Sequence, residues 1–160
     1  MSFTVTSTDF SDGDVLPDAQ VKTLGDASPQ LSWSGAPEGT RSFAVTCYDP
    51  DAPTGSGFWH WTVANIPADV NALAAGAGAV GGANLPKGAV QGRTDYGKAG
   101  FGGAAPPPGH GPHRYIFTVF AVDVDRLDVT ADDSGAVFGF NLHFHTLAKA
   151  SITATYENRG

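Results

Sequence analysis

The sequence predicts a mostly β protein, an antiparallel β-sandwich with one or two short helices. Several short runs alternate apolar and polar side chains with the two-residue period of strands. Glycine (21 residues) and proline (11 residues) are abundant without a collagen-like period, which indicates many turns between short elements. At 160 residues, of which 41% are hydrophobic and 16% charged, the chain suits a single domain over residues 1–160 that buries roughly 70% of its unfolded surface.

The first part of the chain contains four predicted strands. Residues 3–7, 31–34 and 42–49 are short runs bounded by turn-forming residues, and the first and third of them alternate apolar and polar side chains. Residues 58–66 are apolar on both faces, which is typical of a central strand, and Pro67 ends that run.

Residues 67–112 hold more than half of the glycines and prolines, so they cannot form one regular element. We expect a short helix over residues 69–77 and a long ordered loop elsewhere. Loops of this length in a compact domain are uncommon and are usually functional. A flexible insertion is the alternative.

The last part of the chain starts with the most strongly patterned strand, residues 113–123. Its alternation places His113 on the same face as the apolar side chains and Arg114 on the opposite face. Residues 135–149 are loosely helical, and residues 151–156 are predicted to form a closing strand.

Charge and composition exclude several classes of function. The net charge is −7 and the nine Lys and Arg residues are scattered, so the chain lacks the basic cluster that nucleic acid or an anionic membrane requires. Cys47 is the single cysteine, which rules out an intramolecular disulfide and favours a buried thiol. With no signal-like N-terminus and no apolar run of transmembrane length, we expect a cytoplasmic protein.

Polar residues at the ends of apolar runs are the candidate functional residues. Asp49 and Asp51 follow the third strand and are expected to point to similar sides. His60 lies at the start of the fourth strand, and His113 opens another. If the third and fourth strands pair as a hairpin, Asp49 and His60 meet at one end of a sheet. If the strand that His113 opens starts at the same end, all four side chains form one pocket. Gly109 and Gly111 can turn backbone N–H groups inward to hold a small anion.

Three segments carry a resemblance to a known family. Asp49-Pro50-Asp51-Ala52-Pro53, His60-Trp61 and Pro107-Pro108-Gly109-His110-Gly111-Pro112-His113-Arg114-Tyr115 resemble the signature regions of the phosphatidylethanolamine-binding protein family. The animal members of this family include the Raf kinase inhibitor protein. Gln91-Gly92-Arg93-Thr94-Asp95-Tyr96-Gly97 and Ala154-Thr155-Tyr156 are similar to the shorter bacterial and archaeal branch.

The resemblance implies a Greek-key β-sandwich with a small pocket for phosphate, acetate or a phosphoryl headgroup such as that of phosphatidylethanolamine. It implies no cofactor and no metal, and a homodimer. The animal members carry a C-terminal helix that borders the pocket, whereas this sequence ends at Gly160 just after its last predicted strand. We therefore expect no such helix here and a more open pocket. Phe58 or Trp59 would join Pro53 in the pocket wall. Carried over by position, the ligand-binding residues are Asp49, Asp51, Pro53, His60, Gly109, Gly111, His113 and Tyr115.

An acidic pair beside an anion requires compensation, because like charges at short distance repel. Either the imidazoles are protonated, or a carboxylic acid shares its proton with a ligand oxygen. We therefore expect phosphate affinity to fall as the pH rises through the histidine range.

Three other functions remain open at this point. The first is inhibition of a kinase or a serine protease by protein–protein contact, and the second is a metal site formed by the two Asp and two His. A weak hydrolase is the third alternative. No nucleophile elbow, P-loop or dinucleotide motif is present, so we expect a binding protein rather than an enzyme.

Overall fold

Two antiparallel sheets pack against each other in the computed structural model, which describes residues 2–160. The strands are β1 (Thr4–Thr6), β2 (Leu31–Ser34), β3 (Ser42–Asp49), β4 (Phe58–Pro67), β5 (Ala72–Leu73), β6 (Val90–Gln91), β7 (His113–Val122) and β8 (Thr146–Tyr156). A 3-10 turn at Asp18–Gln20 and the helix α1 (Gly135–His145) complete the elements.

The strand order confirms the predicted mostly β fold. One sheet has the order β1-β2-β5 and the other the order β6-β4-β3-β7-β8, and all of these pairs are antiparallel. The chain leaves β4, crosses over through the Gly- and Pro-rich segment, and returns as β7 on the far side of β3. This return beside a non-consecutive strand is the Greek-key connection.

The core lies between the two sheets and follows from the alternation of the central strands. Val45 and Cys47 of β3, Trp61 of β4 and Phe117 and Val119 of β7 are all buried within one apolar cluster. Side chains of the smaller sheet, among them those of β1 and β2, belong to the same cluster. Full burial of a Val or Phe side chain stabilises a fold by about 1.5–3 kcal/mol, so these residues fix the register of β3 against β7.

The short helix expected at residues 69–77 is wrong. Ala72–Leu73 instead forms β5 at the edge of the smaller sheet, where the Asn71 carbonyl accepts a hydrogen bond from the Trp33 N–H (2.9 Å). Leu73 is buried in the core there. Edge pairing and burial outweigh a weak local helical preference.

The rest of the Gly- and Pro-rich segment is fixed against β4. The N–H groups of Gly92, Asp95 and Gly102 donate to the carbonyls of Thr62 (2.9 Å), Trp59 (3.1 Å) and His60 (2.9 Å), respectively. These bonds hold the loop along the strand that carries His60, so the segment is ordered where it borders the predicted site.

The helix α1 begins at an N-cap, Ser134, whose side chain accepts a hydrogen bond from the Val137 N–H. It buries Phe138 and Leu142 and ends at His145. The predicted helix was longer and the predicted closing strand shorter, because residues 146–150 pair with β7 instead of continuing the helix. Within residues 2–160, no helix has the length and apolar character needed to cross a bilayer.

Two glycines of α1 test how the helix packs on the sheet. A Cβ at Gly135 would collide with the Trp59 ring, whereas one at Gly139 would lie 4.0 Å from its nearest neighbours. We expect Gly135→Ala to lower the free energy of unfolding by about 1–3 kcal/mol through overpacking. Gly139→Ala should raise it by about 0.5–1 kcal/mol through better helix propensity.

Urea denaturation of both variants measures the two changes, and Gly139→Ala is the matched control. Equal stability of the two variants would contradict the packing of α1 on Trp59.

Candidate functional site

Three strand ends meet at one end of the five-stranded sheet. Asp49 is the last residue of β3 and pairs with Phe58, the first residue of β4. His113 opens β7, which pairs with β3 on its other side. The hairpin pairing expected from the sequence therefore holds, and it brings Asp49, His60 and His113 to one location.

Asp49 and His113 form a buried hydrogen-bonded pair. Asp49 is 2% exposed and His113 is 1% exposed, and Asp49 Oδ2 lies 2.7 Å from His113 Nδ1. Because a carboxylate only accepts hydrogen bonds, the Nδ1 atom carries a proton and donates. Asp49 Oδ1 accepts a second bond, from the Asp51 N–H (2.7 Å), so both oxygens of this buried group have partners.

His110 extends this pair into a chain of three side chains. Its Nδ1 lies 2.6 Å from His113 Nε2, so one of the two rings donates and the other accepts. His110 is exposed and covers His113 from the solvent side. His110 is not among the predicted ligand-binding residues, because nothing in the local sequence pattern fixes where a loop histidine points.

His60 is buried and its two nitrogens are in different situations. Nδ1 lies 2.7 Å from the Gly102 carbonyl, which only accepts, so Nδ1 carries the proton. Burial lowers the pKa of His60, although the Gly102 carbonyl and the nearby Asp49 charge act in the opposite direction. In the neutral ring, Nε2 is then a hydrogen-bond acceptor.

Tyr115 supplies a hydroxyl group without a partner. The residue is 1% exposed, and its Oη makes no hydrogen bond within residues 2–160. Burial, together with the charge of Asp49, raises the pKa of Tyr115, so the phenol stays protonated. Its ring lies 5.2 Å from the His60 ring, centroid to centroid, in an edge-on arrangement.

A small cavity of about 110 Å³ lies among these groups. Water occupies about 30 Å³ per molecule in the liquid, and drug-sized sites begin near 300 Å³, so this volume suits a group of a few heavy atoms. The lining residues are Ala52, Phe58, His60, Tyr96, Ala105, Pro106, Pro107, His113 and Tyr115.

The structure separates the two acidic residues that were expected together. Arg114 binds Asp51 through three contacts of 2.9–3.0 Å, one from its N–H and two from its guanidinium. These hydrogen bonds lower the pKa of Asp51 to about 2. Arg114 lies on the face of β7 opposite to His113, so it draws Asp51 away from the cavity. The alternation of β7 in the sequence, which puts Arg114 on the face opposite to His113, is the signal that could have predicted this separation.

Three further predicted residues lie outside the cavity wall. Pro53 is exposed. Gly109 and Gly111 have φ angles of +74° and +87°, which suits glycine in a tight turn. The Gly109 N–H donates to the Asn158 carbonyl (3.0 Å) and so does not face the cavity.

The wall of the cavity comes instead from Tyr96 and the segment 105–107. Tyr96 Oη donates to the Gly103 carbonyl (2.7 Å), and burial raises the pKa of Tyr96 to about 12. Of the two aromatic residues expected in the wall, Phe58 lines the cavity, whereas Trp59 faces the opposite side of the sheet towards α1. The run of consecutive prolines in the sequence is a signal for this part of the wall, because consecutive prolines form a rigid extended segment.

Across residues 2–160, no group of three or more His, Cys, Asp or Glu side chains is placed to hold a metal ion. Cys47 is buried and unpaired.

These features define a class of protein, an antiparallel β-sandwich with a small polar cavity at the ends of three strands. The family model described as phosphatidylethanolamine-binding protein matches residues 6–157. The chain belongs to this family.

Its relatives indicate the bacterial branch. The UPF0098 protein YbhB of Escherichia coli K12 is 56% identical over 94% of this chain and 98% of its own length. The crystal structure of Escherichia coli YbcL, 52% identical, has a TM-score of 0.96 and covers 98% of this chain and 99% of that one. The homologue CT736 of Chlamydia trachomatis is 30% identical with a TM-score of 0.83, covering 98% of both chains.

The Asp51–Arg114 pair predicts a specific acid dependence of stability. The pKa of Asp51 is about 2 in the folded chain against an ordinary value of 3.8, so its ionised form stabilises the fold above about pH 4. This contribution is lost as the pH falls towards 2. We expect the Tm of Asp51→Asn to fall less steeply than that of the unsubstituted chain between pH 4 and pH 2.

Asp125→Asn is the control, because Asp125 binds Arg41 in a similar but more exposed pair. It should keep the slope of the unsubstituted chain. If Asp51→Asn keeps that slope too, the assigned contact does not stabilise the fold.

Proposed function

We propose that this chain binds a small anionic group, such as phosphate or the phosphoryl headgroup of a phosphatidylethanolamine-like molecule, in the cavity between His60 and Tyr115. The observation that carries the proposal is the buried hydroxyl of Tyr115. Tyr115 lines a cavity of about 110 Å³, and its hydroxyl has no partner within residues 2–160.

An unpaired buried hydroxyl costs a fold about 1–3 kcal/mol. Four buried side-chain atoms lack partners in the described part of the chain: Gln20 Oε1, Trp33 Nε1, Thr62 Oγ1 and Tyr115 Oη. Of these four residues, only Tyr115 lines the cavity. A ligand oxygen that accepts from this hydroxyl would remove the cost, which is a reason for the hydroxyl to be there.

The buried carboxylate does not prevent anion binding at this place. Both Asp49 oxygens already accept hydrogen bonds, from the His113 ring and from the Asp51 N–H. The His113 partner offsets part of the negative charge that a ligand would meet. The small volume favours a headgroup over a whole lipid, and the description of the matching family supports the same class of ligand.

The proposal is for binding, with a regulatory role, and not for catalysis. Among the described residues, no Ser, Thr or Cys side chain lines the cavity, so the wall offers none of the commonest nucleophiles for covalent chemistry.

Substitution of Tyr115 tests the proposal. We expect Tyr115→Phe to weaken the binding of phosphoethanolamine by about 10-fold or more, because a hydrogen bond to a charged group contributes about 1.5–3 kcal/mol. The same variant should be at least as stable as the unsubstituted chain, since it removes an unpaired polar atom. Calorimetric titration and thermal unfolding measure the two effects.

Tyr48→Phe is the control, because that hydroxyl donates to the Ser56 carbonyl instead. It should leave affinity unchanged. If phosphate, acetate and phosphoethanolamine all fail to bind the unsubstituted chain at millimolar concentration, the proposal is wrong. The alternative of a kinase or serine-protease inhibitor would then be favoured.

We also propose a homodimer through the outer face of α1. The exposed apolar side chains there are Val137, Phe140 and Phe144, and Leu147 of β8 is exposed nearby. A second cavity of about 460 Å³ opens beside them, between α1 and the sheet. Although the chain has a net charge of −7, α1 contains no Asp, Glu, Lys or Arg. Two copies can therefore pack through the outer face of α1 without charge repulsion. Because a twofold axis makes the two contacts equivalent, the phenylalanine rings of each copy would fill the cavity of the other.

Phe140→Ser combined with Phe144→Ser should convert the dimer to a monomer in sedimentation velocity at micromolar concentration. Val80→Ser is the control, because Val80 is similarly exposed (62%) but lies elsewhere. A monomeric unsubstituted chain at 100-fold higher concentration would exclude this interface.

A further inference from the structure

The hydrogen-bonding character of the cavity differs from that of an ordinary anion site. Among the described residues that line it, none is Lys or Arg. Of the side chains that line it, Tyr115 has a buried hydroxyl donor without a partner among the described residues, and His60 uses Nδ1 for the Gly102 carbonyl, which leaves Nε2 as its other ring nitrogen. His113 Nε2 is already engaged by His110.

The tautomer of His60 follows from its partner. Since the Gly102 carbonyl can only accept, the proton of the neutral ring resides on Nδ1 and the lone pair on Nε2. Burial favours this neutral form. The titratable or charged groups around the ring are Asp49 on β3, Asp95 and Tyr96 in the loop after β6, and His113 and Tyr115 on β7.

A ligand that satisfies both atoms must accept one hydrogen bond and donate another. The P=O oxygen of a phosphoryl group accepts from Tyr115, and a P–OH group donates to His60. We infer that the cavity selects a phosphomonoester in its singly protonated form over a phosphodiester. This inference rests on the proposed function and specifies its ligand.

Other ionisation states and esters fit less well. A phosphodiester has no P–OH, so an ester or anionic oxygen would face the lone pair of His60. A doubly ionised phosphomonoester brings a second negative charge towards the buried Asp49. A lipid headgroup is a phosphodiester, so the inference favours a free phosphomonoester as the ligand.

Methyl phosphate and dimethyl phosphate test the inference, because they differ by one methyl group and by the P–OH. At pH 5.5, we expect methyl phosphate to bind at least tenfold more tightly in a calorimetric titration. Above the second pKa of the monoester, about 6, its affinity should fall about tenfold per pH unit as the protonated form is lost. The weak affinity of dimethyl phosphate should not change over the same range.

A variant separates His60 from the other imidazoles. Gln at position 60 can present an N–H donor where Nε2 presents a lone pair, so His60→Gln should reduce the preference for methyl phosphate to less than threefold. His145→Gln, whose ring binds Asp123 at the end of α1, is the matched control and should keep it. If His60→Gln does not fold, the two pH profiles of the unsubstituted chain still decide the question.

The possible outcomes distinguish failure of the proposed selectivity from failure of the proposed function. Equal affinity for both esters overturns the selectivity and leaves the proposed function standing. A fall in dimethyl phosphate affinity with rising pH also overturns it, because an imidazolium would then be the group that binds the anion. If neither ester binds, the selectivity and the proposed function both fail.

Discussion

The buried hydrogen bond between Asp49 and His113 holds the functional end of this protein together. It joins the end of β3 to the start of β7 at 2.7 Å, and both residues are at most 2% exposed. Removing one member of a buried polar pair leaves the other without a partner, which costs about 3–5 kcal/mol of folding free energy when the remaining group is a buried charge. The pair therefore fixes where β7 begins, and with it the position of Tyr115 two residues later.

Strand alternation then divides the polar residues between two environments. His113 and Tyr115 point inward to the cavity, whereas Arg114 points outward and holds Asp51 there. The outer ion pair secures the loop after β3, and on the inner side the Tyr115 hydroxyl is left without a hydrogen-bond partner among the described residues. A stable protein keeps such capacity in a buried site when something else satisfies it, which is the physical basis of the proposed ligand.

Much of this was predictable from the sequence, because alternation and turn residues are local properties. They placed β3, β4 and β7 correctly and put Asp49, His60 and His113 at one sheet end. What failed depended on tertiary contacts. Within the segment 69–77, Ala72–Leu73 forms an edge strand through pairing with β2, and Gly109 donates its N–H to the Asn158 carbonyl. Anion binding, the absence of catalysis and a cytoplasmic location stay predictions.

The central claim is that Tyr115 and His60 together bind a phosphoryl group. A crystal soaked with phosphoethanolamine below pH 6 tests this most directly. We expect a phosphorus atom inside the cavity, with one phosphoryl oxygen within hydrogen-bonding distance of Tyr115 Oη and another within that distance of His60 Nε2. Phosphoethanolamine bound anywhere else, or a soaked cavity that holds only water, would contradict it.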